Sequence, residues 1–308
     1  MTEKRILVIK LGALGDIVLA CGPFQAIRRH HAEAKITLLT TPPFVDFLEP
    51  SGWFDEITTD TRPPLWRARQ WIDLRKRLRA GEFDRVYDLQ TSDRSGWYYR
   101  LMGPGRRPEW SGIAPGCSHP HANPDRDDMH TIERQREQLA MAGIENVPDT
   151  DLSWVAADIA RFGLPDRYAL LVPGGAPHRP AKRWPAENYA VIAKKLMDQG
   201  ITPVLLGGPA ERRAADTILG ACPGARDLTG QTNLADLAVL GRGAAAALGN
   251  DTGPMHMIAA SSCPSLVLFS ADSNHAITAP RGPAVDILYR DELADLPIEK
   301  VDAALTIR

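Results

Sequence analysis

Short apolar runs alternate with stretches of helical spacing along almost the whole chain, and the series runs twice. In the first half the strand-like runs fall at 5–9, 35–40, 56–59 and 85–89, with a helix over 16–29 and others between the later strands. In the second half, strands at 168–172, 202–206, 225–228, 244–248 and 265–269 alternate with helices at 185–199 and from Ala210, Leu234 and Pro254. Strands joined through helices pair in parallel, so the pattern predicts two doubly wound α/β domains. Between them, 104–129 is rich in Pro, Gly, His and Asp and reads as a long loop. A helix over 131–142 ends at Gly143, and 146–164 reads as a linker. The expected domains are 1–155 and 156–308, with a last helix within about 295–308 able to pack back on the first domain.

Composition narrows the function classes. With 308 residues, each half is large enough for its own core. The formal net charge of −2 provides no global basic field for nucleic acid. Cys21, Cys117, Cys222 and Cys263 are scattered, which suits reduced thiols in a cytoplasmic protein. The chain enters its first strand without a signal-peptide core, and no apolar run approaches the length of a membrane span. Gly12-x-x-Gly15 lacks the spacing of a dinucleotide-binding loop, and neither a P-loop nor a His-Glu-x-x-His helix occurs. The cluster Cys117, His119, His121, Asp125, Asp127, Asp128 and His130 has metal-binding residue types, but its spacing fits no standard zinc pattern. No metal is expected.

The stretch Asn250-Asp251-Thr252-Gly253-Pro254-Met255-His256 carries the chemistry. It follows the small apolar run 244–249 and opens a helix, so backbone N–H groups are left unpaired where the dipole favours an anion. Asp251 or Thr252 can cap that helix, Gly253 permits close approach, and Pro254 suits the first turn. The first strand ends in a comparable turn, Lys10 to Val18, with Asp16 at the start of a helix. There Asp16 can serve as a helix cap, as a general base, or as both.

Taken in order, these two turns resemble those of glycosyltransferase family 9, the heptosyltransferases of lipopolysaccharide synthesis. Between them come Pro173-Gly174-Gly175-Ala176, Lys182-Arg183-Trp184-Pro185-Ala186-Glu187, Gly207-Gly208-Pro209-Ala210-Glu211 and Leu228-Thr229-Gly230-Gln231-Thr232-Asn233-Leu234. The likeness runs from about residue 5 to residue 280. It implies a GT-B fold, with two Rossmann-like domains facing each other across a cleft, the first for the acceptor and the second for the donor nucleotide. The implied reaction is inverting, metal-independent and cofactor-free, moving a heptose from an ADP-sugar to a lipopolysaccharide inner-core acceptor.

Carried over residue by residue, the resemblance makes Asp16 the base and Lys182 the cation on the departing diphosphate. Arg183 is adjacent and could substitute. Gly15, Gly174, Asp251, Thr252 and Gly253 line the donor, and Glu211 holds the ribose hydroxyls or simply suits the first turn of its helix. His256 either touches the donor or packs internally. Residues 62–79 hold seven basic side chains against the lone Asp73. That run is either a solvated helix face or the surface that holds an anionic glycolipid, such as phosphorylated lipid A with Kdo sugars, at the cytoplasmic face of the inner membrane. Arg62, Arg69 and Arg94, with His119 and His130 from the 104–129 loop and the helix after it, are the acceptor candidates; Arg100, Arg106 and Arg107 could add to them. Two other readings remain open: a nucleotide-sugar epimerase or hydrolase on the same fold, and a non-catalytic nucleotide-sugar-binding protein.

Overall fold

The computed structural model describes residues 3–64, 66–105, 107–175 and 179–308. Arg106 and Ala176 lie outside these residues. The chain divides into two compact units, Met1–Asp149 and Thr150–Arg308, six residues before the boundary read from the sequence.

The first unit is a wholly parallel sheet of β1 (Arg5–Ile9), β2 (Lys35–Thr40), β3 (Glu56–Thr59), β4 (Arg85–Asp88), β5 (Glu109–Gly112) and β6 (His119–Pro120), ordered β3-β2-β1-β4-β5-β6. Its helices are α1 (Leu14–Leu19), α2 (Cys21–His30), α3 (Val45–Leu48), α4 (Ala68–Ala80), α5 (Asp93–Leu101) and α6 (Thr131–Ala140). The second unit repeats the topology with β7 (Tyr168–Val172), β8 (Thr202–Leu205), β9 (Arg226–Asp227), β10 (Ala246–Asn250), β11 (Ser265–Phe269) and β12 (Val285–Tyr289), ordered β12-β11-β10-β7-β8-β9. It carries α7 (Ala186–Asp198), α8 (Arg212–Ala221), α9 (Leu234–Gly243), α10 (Gly253–Ala260), α11 (His275–Thr278) and α12 (Ile298–Ala304). The central strands β1, β7, β10 and β11 are buried almost throughout, as continuous apolar runs covered on both faces must be.

Four differences from the sequence reading have local causes. The expected 16–29 helix breaks at Ala20, where Pro23, lacking an N–H, cannot bond the Leu19 carbonyl. The 104–129 loop contains β5 and β6, whose few residues are too short to show periodicity; only the buried Trp110 anchors β5 in the core. The half-buried edge strand β12 extends the second sheet beyond 269. Finally, the last helix, which the sequence leaves able to pack back on the first domain, seats Val301 in the core of the second unit and pairs Asp302 with Lys195 of α7.

Each unit packs an apolar cluster against its sheet. In the first, Leu7, Ile9, Leu74, Leu78, Tyr98 and Trp110 pack together. In the second, Leu171, Trp184, Tyr189, Leu248 and Leu268 do so, with Trp184 and Tyr189 edge to face at 5.0 Å between centroids. No helix among the described residues is long and apolar enough to cross a membrane.

Candidate functional site

In an open α/β sheet the strand order reverses at one point, and ligands bind outside the carboxyl ends of the strands there. Here that point lies between β1 and β4 in the first sheet and between β7 and β10 in the second. The chemistry-bearing residues collect at both.

In the first unit the turn after β1 brings Asp16 into the first turn of α1. Its Oδ2 accepts the Ala13 N–H at 3.0 Å, so Asp16 does cap its own helix. Oδ1 lies 3.9 Å from the Lys10 ammonium, and the carboxylate is 40% exposed, leaving it open to an incoming hydroxyl. Lys10 is buried, donates to the Leu89 carbonyl at 3.0 Å, and has its pKa lowered by burial against the opposing pull of Asp16. Gln90 clips the end of β4 to β1 by accepting the Leu11 N–H at 2.8 Å. Gly15 is buried within α1.

Around Asp16 lies a polar cavity of about 180 Å³ whose other walls include Arg126, Asp127, Arg134, Gln135 and Gln138. None of these stands out in the sequence except Asp127, there as one of a group of metal-binding residue types. Their recruitment depends on where α6 and the turn before it fold, and no local pattern reports that. Beneath the cavity, buried Asp88 accepts the Gln90 and Thr91 N–H groups, and burial pushes its carboxyl up to about 6.

In the second unit the turn after β10 meets the segment after β7. Asn250 is wholly buried and joins them: its amide donates to the Pro173 and Gly174 carbonyls at 3.0 and 2.9 Å. Its Oδ1 accepts from the Trp184 N–H and the Tyr189 hydroxyl. Buried Trp184, which also donates to the Leu296 carbonyl, thereby holds Lys182 and Arg183 beside the turn. The Lys182 ammonium donates to Asp251 Oδ2 at 2.9 Å, and the Ser273 hydroxyl donates to the same oxygen at 2.6 Å.

Neither expected residue caps α10 through its side chain. Thr252 occupies the capping position without a side-chain bond, and its buried hydroxyl has no partner; the Asp251 carboxylate turns instead to Lys182 and Ser273. The helix start at Gly253 therefore keeps its donors for a ligand. His256 lies buried within α10.

Glu211 crosses close to the chain: its Oε2 accepts the Gly208 N–H at 2.8 Å, and its Oε1 lies 4.0 Å from Arg183. A Cβ at Gly207 would stand 2.7 Å from Glu211 Cβ, and one at Gly174 would stand 3.0 Å from its Cγ, so the two glycines make room for the acid. Arg183 also donates to the Gly175 carbonyl.

Two of the acceptor candidates, Arg62 and Arg94, meet at Asp60: the Arg62 backbone N–H donates to its Oδ1 and the Arg94 guanidinium to its Oδ2. The exposed Arg62 donates to the Leu11 carbonyl beside the Asp16 turn, and the half-buried Arg94 is braced by Asp60, Tyr98 and the Pro63 carbonyl. Arg75 and Arg77 likewise bind backbone carbonyls. Arg69 and Lys76 are exposed on α4, and Arg100 and Arg107 stack on Trp97 and Tyr99. His119 pairs with Ser118, while His130 caps α6 by accepting the Ile132 N–H at 3.2 Å. Among the described residues no His/Cys/Asp/Glu group assembles a metal site: His121 pairs with Glu137, and burial pushes the Cys117 thiol up.

Two Rossmann-like domains of identical topology, each with charged groups at its switch point, place the chain among GT-B glycosyltransferases. The chain belongs to Glycosyltransferase family 9 (heptosyltransferase), which it matches over residues 71–303. It is 26% identical over 294 residues to lipopolysaccharide heptosyltransferase 2 of Escherichia coli, covering 87% of this chain and 83% of that one. In fold it resembles a family 9 glycosyltransferase from Veillonella parvula, with a TM-score of 0.83, 20% identity, and 98% and 95% of the two chains covered. It also resembles the E. coli heptosyltransferase WaaC solved with ADP, with a TM-score of 0.77, 20% identity, and 97% and 98% covered.

Proposed function

We propose that this enzyme transfers a heptosyl group, with inversion, from ADP-heptose to an anionic inner-core lipopolysaccharide acceptor, without a metal. The observation that carries the reading is the carboxylate of Asp16, half open at the switch point of the first sheet, with one oxygen bonded and the other turned toward a polar cavity. Asp16 takes the proton from an acceptor hydroxyl as that oxygen attacks the anomeric carbon from the face opposite the diphosphate. The bond from the anomeric carbon to the diphosphate oxygen breaks, and its electron pair leaves with ADP.

Lys182, Arg183 and the N–H groups at the start of α10 take up the growing phosphate charge, the work a metal would otherwise do. Glu211 is the group proposed to hold the ribose hydroxyls, and Gly174, which makes room for its side chain, belongs to the same proposed donor set. Gly15, Asp251, Thr252, Gly253 and His256 complete the proposed donor and catalytic set. The names of the relatives support the heptosyl and lipopolysaccharide parts of this reading, and the ADP complex of a structural neighbour supports the nucleotide. We further propose that the exposed basic face of α4 brings the enzyme to the anionic inner surface of the membrane, where the acceptor resides.

The test is transfer from ADP-heptose to Kdo-bearing lipid A by the purified enzyme, with and without EDTA. Product of inverted anomeric configuration, formed equally in EDTA, is the expected result. Strict dependence on Mg²⁺ or Zn²⁺, or a retained configuration, would refute it.

A further inference from the structure

Among the described residues, the three most exposed large apolar side chains belong to one stretch of the first unit. Trp66, just before α4, is 83% exposed, Ile72 on α4 is 53% exposed, and Trp97 on α5 is 50% exposed. The others, Met141, Val191 and Tyr289, stand singly on different parts of the fold. A single exposed apolar side chain is ordinary, but several on one face mark a contact surface.

The packing of the two helices brings them to one face. Trp71 meets Tyr98 at 6.3 Å between ring centroids, the Arg94 guanidinium lies over the Trp71 ring at 4.9 Å, and Arg75 Nε donates to the Leu101 carbonyl at 3.2 Å. These residues form the seam between α4 and α5, while Leu74, Leu78, Ser95 and Tyr99 are buried. Ile72 lies one residue after Trp71, and Trp97 one residue before Tyr98, so each is turned about 100° from the seam. The helices follow adjacent parallel strands and run the same way, so these opposite turns carry both side chains to the outer side. Because Trp71 meets Tyr98, Ile72 and Trp97 also stand at one level along the pair.

The surroundings are basic. Arg67, Arg69, Lys76, Arg79 and Arg100 are exposed on the same two helices and at the start of α4, and they outnumber Asp73 and Asp93, in a chain whose net charge is −2. The Arg100 guanidinium lies over the Trp97 ring at 4.7 Å, so charge and apolar surface are in direct contact. A strip of indole and alkyl groups inside a basic rim matches the boundary layer of an anionic bilayer: the apolar groups enter it while the cations stay among the phosphates. A second copy of this chain is a poorer match, since a two-fold contact would press the basic rim against itself.

We propose that the outer face of α4 and α5 inserts into an anionic phospholipid surface, with Trp66, Ile72 and Trp97 entering the interfacial layer and the basic rim holding lipid phosphates. The inference rests on the membrane attraction proposed above and deepens it: the charges draw the enzyme to the surface, and apolar insertion keeps it there.

The experiment is flotation of the full chain with vesicles of phosphatidylethanolamine and phosphatidylglycerol, at about 0.1 M and about 1 M salt, where screening shortens from about 10 Å to about 3 Å. Wild type should bind at both, less at the higher. Vesicles with brominated acyl chains should quench its tryptophan fluorescence, and Trp66→Ser with Trp97→Ser should abolish the quenching. Each serine substitution at Trp66, Ile72 or Trp97 should lower partitioning by roughly tenfold, as loss of a buried apolar side chain does, while ADP affinity holds. Thermal unfolding checks the fold of each variant, and the largely exposed Trp66 carries the test if Trp97→Ser melts early.

Binding that is abolished by salt, gives no quenching and ignores the serine substitutions would overturn insertion and leave only attraction by charge. Quenching that survives Arg69→Glu with Lys76→Glu at undiminished affinity would instead refute the attraction and leave insertion standing. No binding to vesicles at either salt concentration would refute both. A wild-type dimer that Trp66→Ser with Trp97→Ser turns into a monomer would assign the face to a second copy and overturn the proposal.

Discussion

The two units share one topology but leave their switch points in opposite electrostatic conditions. In the second unit most of these groups satisfy one another: Lys182 and Ser273 both bond Asp251, Asn250 fills all its capacity, and Glu211 is held by the Gly208 N–H, while the Thr252 hydroxyl and Arg183 Nε stay unpartnered. In the first unit, Gln135, Arg126, Gln138 and Asp88 all keep buried atoms without partners. A ligand entering the second unit must compete with an existing ion pair, whereas one entering the first supplies bonds that are missing. The second arrangement is preorganised and rigid; the first pays in stability for selectivity.

Substitution of the proposed base should give the largest effect. Asp16→Asn keeps the side-chain shape, and its amide oxygen can still accept the Ala13 N–H. Turnover should fall by roughly 10²–10⁴-fold while ADP affinity is unchanged. Initial rates and calorimetry together check this, and a variant with near-normal turnover would remove Asp16 from the chemistry.

Next comes stability against pH. Asp88 has a folded pKa of about 6 against 3.8 for the free group, so folding favours its protonated form. Its contribution is complete below pH 3.8 and is lost as pH rises through about 6. That window corresponds to about 3 kcal/mol, as an order of magnitude. Asp88→Asn should flatten the pH dependence of the first unit's unfolding between those limits and leave the second unit's transition unchanged. Urea unfolding at several pH values reads both, and an unaltered slope would place the pH response elsewhere.

The ion pair in the second unit supports a double-mutant test. Lys182→Ala should weaken ADP by roughly 10–100-fold, because it removes a cation and leaves Asp251 facing the phosphates. Adding Asp251→Asn should restore part of that affinity. If the two losses simply add, Asp251 is not competing with the phosphates and the comparison of the two units fails on the donor side.

The smallest effect belongs to the exposed basic face. Arg69→Glu with Lys76→Glu should raise the acceptor KM a few-fold, and more at low salt, because exposed charges are screened over about 10 Å at 0.1 M. Binding of ADP should not respond. An acceptor KM indifferent to both salt and the double substitution would reduce α4 to a solvated helix face.

The sequence alone determined the alternation, hence two parallel sheets, and it marked the two turns that carry Asp16 and Asp251. Those features are local: strand runs, glycines and caps follow from residues a few positions apart. Even the Leu228–Leu234 stretch has a local reading, since Gly230 adopts a left-handed φ of 74° and Asn233 caps α9. Only the tertiary structure decided which basic residues are structural struts and which remain exposed. Arg94 bonds Asp60 and the Pro63 carbonyl, while Arg62 gives one N–H to the Leu11 carbonyl and stays exposed. It also decided that Arg126, Gln135 and Gln138, far along the chain from Asp16, share a cavity with it. The physical reason is that a hydrogen bond left unmade is a property of three-dimensional surroundings, and no spacing along a chain can reveal it.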